Sequence, residues 1–173
     1  TLAMDGLAIV ITPIISLMKD QVDNLRERGI KATYLHSGLT MSERRKAIER
    51  CTNGNYKFLY ISPERLGSDS FIEQLKHMNV CLIVVDEAHC ISQWGYDFRP
   101  SFLKIADIRN VKPRVPVLAL TATATPLVVN DIQEKLQFSK PNVFAKSFVR
   151  NNLSYVVRQT EDKIGQLVRI VNS

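Results

Sequence analysis

The chain has 173 residues, of which 45% are hydrophobic and 23% charged; that is the composition of a folded globular domain and excludes a disordered chain. One domain of this length buries roughly 70% of the surface its unfolded chain exposes, and no apolar run approaches the roughly 18 residues of a membrane span. Lys and Arg number 23 against 17 Asp and Glu, a net charge of +6, which suits a polyanionic partner without requiring one.

The first residues, Thr1 to Gly6, contain neither a basic leader nor a long apolar stretch. With no initiator Met, the chain reads as cut from something larger. Leu7–Ile11 is a continuous apolar run, as are Phe58–Ile61, residues 81–85 and residues 117–120. Such runs predict strands covered on both faces, as in a parallel sheet. Ala32–Leu35 is a fifth, weaker strand. Between them, Ile14, Ile15, Met18, Val22 and Leu25 recur at helical spacing, with Arg26, Arg28 and Gly29 as a stop. Thr40-Met41-Ser42-Glu43 is a capping box opening a basic helix with Arg44, Arg45, Lys46 and Arg50. Its basic run is expected to be a solvated face. Phe71, Leu75 and Met78 predict a third helix, and Phe102, Ile105 and Ala106 a fourth. Thr125-Pro126 starts a fifth, with Val128, Val129, Ile132 and Leu136 as its stripe. Beyond Lys140 the pattern loosens. Residues 143–146 and 154–157 suit strands and Lys163–Val171 a helix, the beginning of another domain. The alternation predicts a doubly wound α/β fold, a mainly parallel sheet with helices on both faces.

Several single residues have ordinary expectations. Cys51, Cys81 and Cys90 form no C-x-x-C pair and no even set, which predicts a reducing, intracellular compartment. Cys81 reads as core, as do Met18, Met41 and Met78. His36 and His77 read as loop or surface histidines.

In open parallel sheets, ligands bind beyond the carboxyl ends of the strands. Here the strands break into Thr12-Pro13, Ser62-Pro63-Glu64-Arg65, Asp86-Glu87-Ala88-His89 and Thr121-Ala122-Thr123-Ala124-Thr125. Hydroxyls and carboxylates gathered at one edge suit a hydrated metal ion and phosphate oxygens. Asp86 can hold Mg²⁺ through water, and Glu87 beside it can orient or deprotonate an attacking water. A helix-capping Asp-Glu pair is the bland alternative. Gly6, Gly29, Gly38, Gly54, Gly67, Gly95 and Gly165 include no two that are five apart, so this sequence has no phosphate loop of the G-x-x-x-x-G-K-[ST] type. Either the protein is not a P-loop ATPase, or that loop precedes Thr1. Directly after the acidic pair, residues 90–100 hold Trp94, Tyr96, Phe98 and Arg99. Aromatic rings beside an Arg suit single-stranded nucleic acid, through base stacking and a phosphate contact. A packing loop with Trp94 and Phe98 buried is the alternative.

These blocks resemble the RecQ family of DNA helicases, within helicase superfamily 2. Residues 11–22 are similar to its motif Ia, residues 60–66 to its next block, and Asp86-Glu87-Ala88-His89 to its Walker B box. Residues 90–102 resemble its aromatic-rich loop, and residues 119–124 its motif III. The resemblance implies a RecA-like first motor domain over residues 1–148, without its P-loop strand and helix. Residues 149–173 would be the linker and start of a second RecA-like domain. It implies an ATP-dependent helicase moving 3′ to 5′ on single-stranded DNA and unwinding duplex DNA, in DNA repair and recombination. Asp86 would contact Mg²⁺ and Glu87 activate water. His89, Thr121 and Thr123 would link the nucleotide site to DNA. Gln93, Trp94, Phe98 and Arg99 would sense single-stranded DNA, and Thr12 and Ser62 would lie near its backbone. Cytoplasm or nucleoid is the implied location, or the nucleus in a eukaryote, with no membrane. The 173 residues alone are expected to hydrolyse ATP negligibly and to expose a sheet edge prone to self-association. Two rival readings are a nucleic-acid-binding module without motor function, and a metal-dependent hydrolase using Asp86, Glu87 and His89.

Overall fold

A computed structural model describes residues 2–146, 152–154, 156–157 and 159–172. It contains two compact units, Thr1–Pro141 and Asn142–Ser173. The expected boundary between residues 148 and 149 lies outside the described residues, as does most of the expected crossing segment.

In the first unit, strands β1 (Leu7–Ile11), β2 (Ala32–Leu35), β3 (Phe58–Ile61), β4 (Val80–Val85) and β5 (Val117–Ala119) form one sheet in the order β2-β3-β1-β4-β5. Every pairing is parallel. Helices α1 (Ile15–Glu27), α2 (Met41–Thr52), α3 (Asp69–His77) and α4 (Ile108–Val111) lie in the four crossovers, and α5 (Pro126–Lys135) follows the last strand.

The period of two along each strand sorts side chains between two cores. Ile9, Ile11, Leu59, Ile61, Ile83 and Val85 point to one face. There they meet Ala47 and Cys51 of α2, Phe71 and Leu75 of α3, and Val128 and Ile132 of α5. Val10, Tyr60 and Val84 point the other way, onto Met18 and Val22 of α1. Helices therefore cover both faces, but the α1 side is thin. β5 is an outer strand of the sheet, and its Leu118 and the following Leu120 are each 44% exposed.

Some elements differ from the expectation for local reasons. The fourth helix is a 3₁₀ helix over Pro100–Asp107, running into α4. Phe102, Ile105 and Ile108 are all buried, and a spacing of three lines up on one face only when the turn holds three residues. Strand β5 stops at Ala119 because the Leu120 carbonyl accepts the Ala88 N–H at 2.9 Å. Ile14 and Ile15 are exposed, so the buried stripe of α1 begins at Met18. Met41 is exposed too, since it stands first after the Thr40 cap. Cys81 is half-buried rather than core, whereas Cys51 and Cys90 are buried.

In the second unit, residues 143–146 form no strand, and neither do the described residues of 154–157. Helix α6 (Lys163–Val171) is present, its N-terminus capped by Asp162 Oδ1, which accepts the Gly165 N–H at 2.9 Å. No helix among the described residues is long and apolar enough to cross a membrane.

Candidate functional site

Register alone brings the predicted residues to one edge. Ile11 stands beside Ile61 and Val85, Leu35 beside Ile61, and Val85 beside Ala119. The next residue of each strand is therefore His36, Ser62, Thr12, Asp86 or Leu120, in one row. The Thr12 N–H donates to the Ile61 carbonyl at 3.1 Å and the Asp86 N–H to the Ile11 carbonyl at 2.9 Å.

At the β4 end the chain turns sharply. Glu87 is left-handed, with φ 50° and ψ 43°, a conformation costly for a side chain larger than Gly and concentrated at functional sites. Two bonds hold it. The Glu87 N–H donates to Asp86 Oδ1 at 3.0 Å, and the Ala88 N–H beyond it donates to the Leu120 carbonyl. His89 is buried, with Nδ1 3.3 Å from Glu87 Oε2 and 3.0 Å from Thr121 Oγ1. A carboxylate at Nδ1 favours the proton on that nitrogen. Thr121 Oγ1 also accepts the Thr123 N–H at 3.2 Å. Asp86, Glu87, His89, Thr121 and Thr123 thus form one connected cluster.

The aromatic loop is folded back onto this cluster. The Arg99 N–H donates to the Cys90 carbonyl at 2.8 Å and closes its base. Tyr96 stacks on His89 with ring centres 4.9 Å apart. Gly95 passes so close that a Cβ there would stand 2.6 Å from the His89 carbonyl oxygen, so only Gly fits. Trp94 is 68% exposed and Gln93 is exposed, which removes the packing alternative for Trp94; Phe98 is half-buried. Arg99 is not free. Its Nε and Nη2 donate to Asp97 Oδ2 at 3.2 and 2.9 Å, which holds the Asp97 carboxyl below its ordinary range. The Cys90 thiol donates to the same oxygen at 3.7 Å; burial, with the Asp97 charge, pushes that thiol up to about 11. The bridging role of Asp97 escaped the sequence reading, although its place two residues before an Arg was a signal.

At the β2–β3 end the character reverses. Ser37, Arg44, Ser62, Glu64 and Arg65 line a shallow cavity of about 260 Å³. Arg44 Nη2 donates to the Ser37 carbonyl at 2.8 Å and Arg65 Nη2 to the His36 carbonyl at 3.4 Å. Arg44 Nε is shielded from solvent without a hydrogen-bond partner among the described residues. Burial, then the Arg44 charge, lowers the Arg65 guanidinium from its ordinary value. Arg44, expected on a solvated face, belongs to this cavity. His36 beside it is buried, not on the surface, and its Nδ1 accepts the Gly38 N–H at 3.0 Å. Thr12 sits between the two ends but is fully buried, its hydroxyl unpartnered among the described residues. Its side chain presents no surface to a nucleic acid here.

Residues 2–132 match the profile of the DEAD/DEAH box helicases. The chain belongs to the DEAD/DEAH box helicase family. It is 42% identical over 170 residues to the ATP-dependent DNA helicase RecQ of Pasteurella multocida, covering 98% of this chain and 27% of that protein. The RecQ protein of Bacillus subtilis is 47% identical over 163 residues, covering 94% and 28%. The chain thus spans about a quarter of the length of these relatives. Two solved helicases share the fold. The Pyrococcus furiosus Hef helicase domain gives a TM-score of 0.57 at 20% identity, over 80% of this chain and 29% of that one. Mycobacterium smegmatis Lhr, bound to single-stranded DNA and AMP-PNP, gives 0.59 at 19%, over 80% and 19%. The DEAD/DEAH membership fits a RecA-like α/β domain whose acidic turn lies at the sheet's carboxyl edge.

Proposed function

We propose that this chain is part of the first motor domain of a RecQ-type, ATP-dependent DNA helicase, working 3′ to 5′ on single-stranded DNA in an intracellular compartment. The observation that carries the reading is the single cluster in which the acidic turn, His89, Thr121 and the aromatic loop touch one another. A motor needs this linkage, because a change at DNA must be felt where phosphate is cleaved.

Asp86 fits a hydrated Mg²⁺: its carboxylate stands at a strand end, half-exposed, and no cation pairs with it among the described residues. Bound there, the ion would neutralise charge on ATP phosphates. Glu87 orients or deprotonates water. His89 holds Glu87 and Thr121 together. Arg44 and Arg65, with Ser37 and Ser62, form a phosphate cradle for one DNA strand, since an anion between two guanidinium groups relieves their repulsion. Trp94 offers a base-stacking face. Without a phosphate loop in its sequence, the chain alone hydrolyses ATP negligibly, and residues 149–173 belong to a second domain.

The lone Trp gives a direct test. Titrating the chain with oligothymidylate should quench Trp94 emission, with an affinity that falls as salt rises. Unchanged emission at saturating oligonucleotide would remove the DNA-sensing role of the loop. The non-motor alternative is separated in a longer polypeptide that adds the phosphate loop. There the motor reading requires that loss of the aromatic loop abolishes DNA-stimulated hydrolysis while basal hydrolysis survives.

A further inference from the structure

His89, Cys90 and Asp97 serve the aromatic loop as packing and ion-pair partners, yet they also present three different ligand atoms to one point. His89 Nε2 lies 3.8 Å from Cys90 Sγ, and Cys90 Sγ lies 3.7 Å from Asp97 Oδ2. All three ligand atoms lie within 4.8 Å of one another. A tetrahedral zinc ion with Zn–S near 2.3 Å and Zn–N near 2.0 Å separates its ligands by roughly 3.5 Å. The two gaps at Cys90 Sγ therefore have to close by only a few tenths of an ångström.

The supporting shell is also in place. Metal-bound histidines usually donate their other ring N–H to a carboxylate, which fixes the tautomer and the ring plane. His89 Nδ1 faces Glu87 Oε2 at 3.3 Å and Thr121 Oγ1 at 3.0 Å, leaving the Nε2 lone pair on the Cys90 side. Tyr96 stacked on the ring restrains it further. His89 and Cys90 are buried, while the Asp97 side chain is 42% exposed and gives solvent a way in.

We propose that His89, Cys90 and Asp97 form a zinc-class metal site that locks the aromatic loop onto the acidic turn. One nitrogen, one thiolate sulfur and one carboxylate oxygen match the donor preferences of Zn²⁺, with water as the fourth ligand. Binding replaces the Cys90 S–H bond with a metal–sulfur bond and releases that proton to solvent. The ion's charge drives this deprotonation. It also takes Asp97 Oδ2 from Arg99, so the guanidinium is freed. The site is distinct from the Mg²⁺ position at Asp86. Its effect would be regulatory: with the loop pinned, DNA contact at Trp94 can no longer move His89.

Co²⁺ serves as the optical probe. Added to the chain, it should give a sulfur-to-cobalt charge-transfer band in the near ultraviolet at one ion per chain, displaced by Zn²⁺. Cys90→Ser should remove the band, and Cys51→Ser and Cys81→Ser should leave it. Asp97→Asn, on a half-exposed side chain that does not threaten folding, should weaken Co²⁺ binding by more than about tenfold, since it removes a direct ligand and even changes to the groups behind a ligand cost that much. Zn²⁺ at one equivalent should also shift Trp94 emission, four residues from Cys90. No charge-transfer band, a band that tracks Cys51 or Cys81, or Asp97→Asn binding Co²⁺ as tightly as the unaltered chain would each overturn the proposal.

Discussion

The two ends of the sheet's carboxyl edge share their backbone geometry but carry opposite charge. At the β4–β5 end, Asp86 and Glu87 stand over a network of hydrogen bonds to His89 and Thr121. At the β2–β3 end, Arg44 and Arg65 stand beside two serines and a single carboxylate, Glu64, so two positive groups outweigh one negative. A parallel sheet delivers strand ends to one row whatever the sequence, so the division lies in the residues just past each strand. Carboxylates suit a hydrated cation and the water beside it. Guanidinium groups suit phosphates. On the proposed reading, one edge would hold a nucleotide's metal and a nucleic-acid backbone side by side, each at groups of the opposite charge.

The largest expected effect breaks the acidic end. In a polypeptide joining this chain to a phosphate loop, Glu87→Gln should lower ATP turnover by about 10²–10⁴, the usual contribution of a general base. Binding of oligothymidylate by the same variant should hold within about twofold, because the basic end and the loop are untouched. A variant that keeps its turnover would take Glu87 out of the chemistry.

Next comes the aromatic loop packed on the acidic end. Trp94→Ala removes a stacking face, and should weaken single-stranded DNA binding by about 1–3 kcal/mol with little dependence on base sequence. Binding measured by oligonucleotide anisotropy reads this without needing the Trp signal. Gly95→Ala should lower affinity as well, since the added Cβ collides with the His89 carbonyl and displaces the whole loop. If both variants bind like the unaltered chain, the loop is not a DNA interface.

Smaller still is the effect at the basic end. Arg44→Ala and Arg65→Ala should each weaken DNA binding evenly across sequences and reduce the slope of log affinity against log salt by about 1. Arg45→Ala, exposed on the same helix, is the comparison that should change little. An equal loss from Arg45 would mean that charge in general, not the cradle, attracts the strand.

What the sequence announced and what it hid divide along the same lines. The strands were legible because burial on both faces leaves continuous apolar runs, such as Leu7–Ile11. The acidic turn was legible because a buried strand rarely ends on two carboxylates. The Thr40–Glu43 capping box was legible too, since both of its hydrogen bonds are local. The hidden features depend on contacts between segments distant in sequence. Cys90 meets Asp97 only because the loop folds back, and Arg44 meets Arg65 across 21 positions of sequence. His36 is buried because the exit of β2 is covered by its neighbours, with Arg44 and Arg65 among the charges around it. Periodicity reports which face of an element is apolar, and it carries no information on which charged groups two loops will share.

The smallest expected effect arises from that buried histidine and sharpens the contrast in charge. Burial, then the charges of Lys19, Arg44 and Arg65, lower the His36 imidazole from its ordinary value, opposed by Glu43. Its Nδ1 accepts the Gly38 N–H, which also requires the neutral ring. The unfolded chain takes up a proton near pH 6.5, before the folded chain does. Stability is therefore fully present above about pH 6.5 and is lost as the pH falls through the lower, folded-state value. His36→Asn keeps a side-chain acceptor for Gly38 but has nothing to titrate. Urea unfolding of the two chains from about pH 7 to about pH 5 should show a steeper loss for the unaltered chain. Parallel curves would mean that His36 accepts its proton at no cost to the fold.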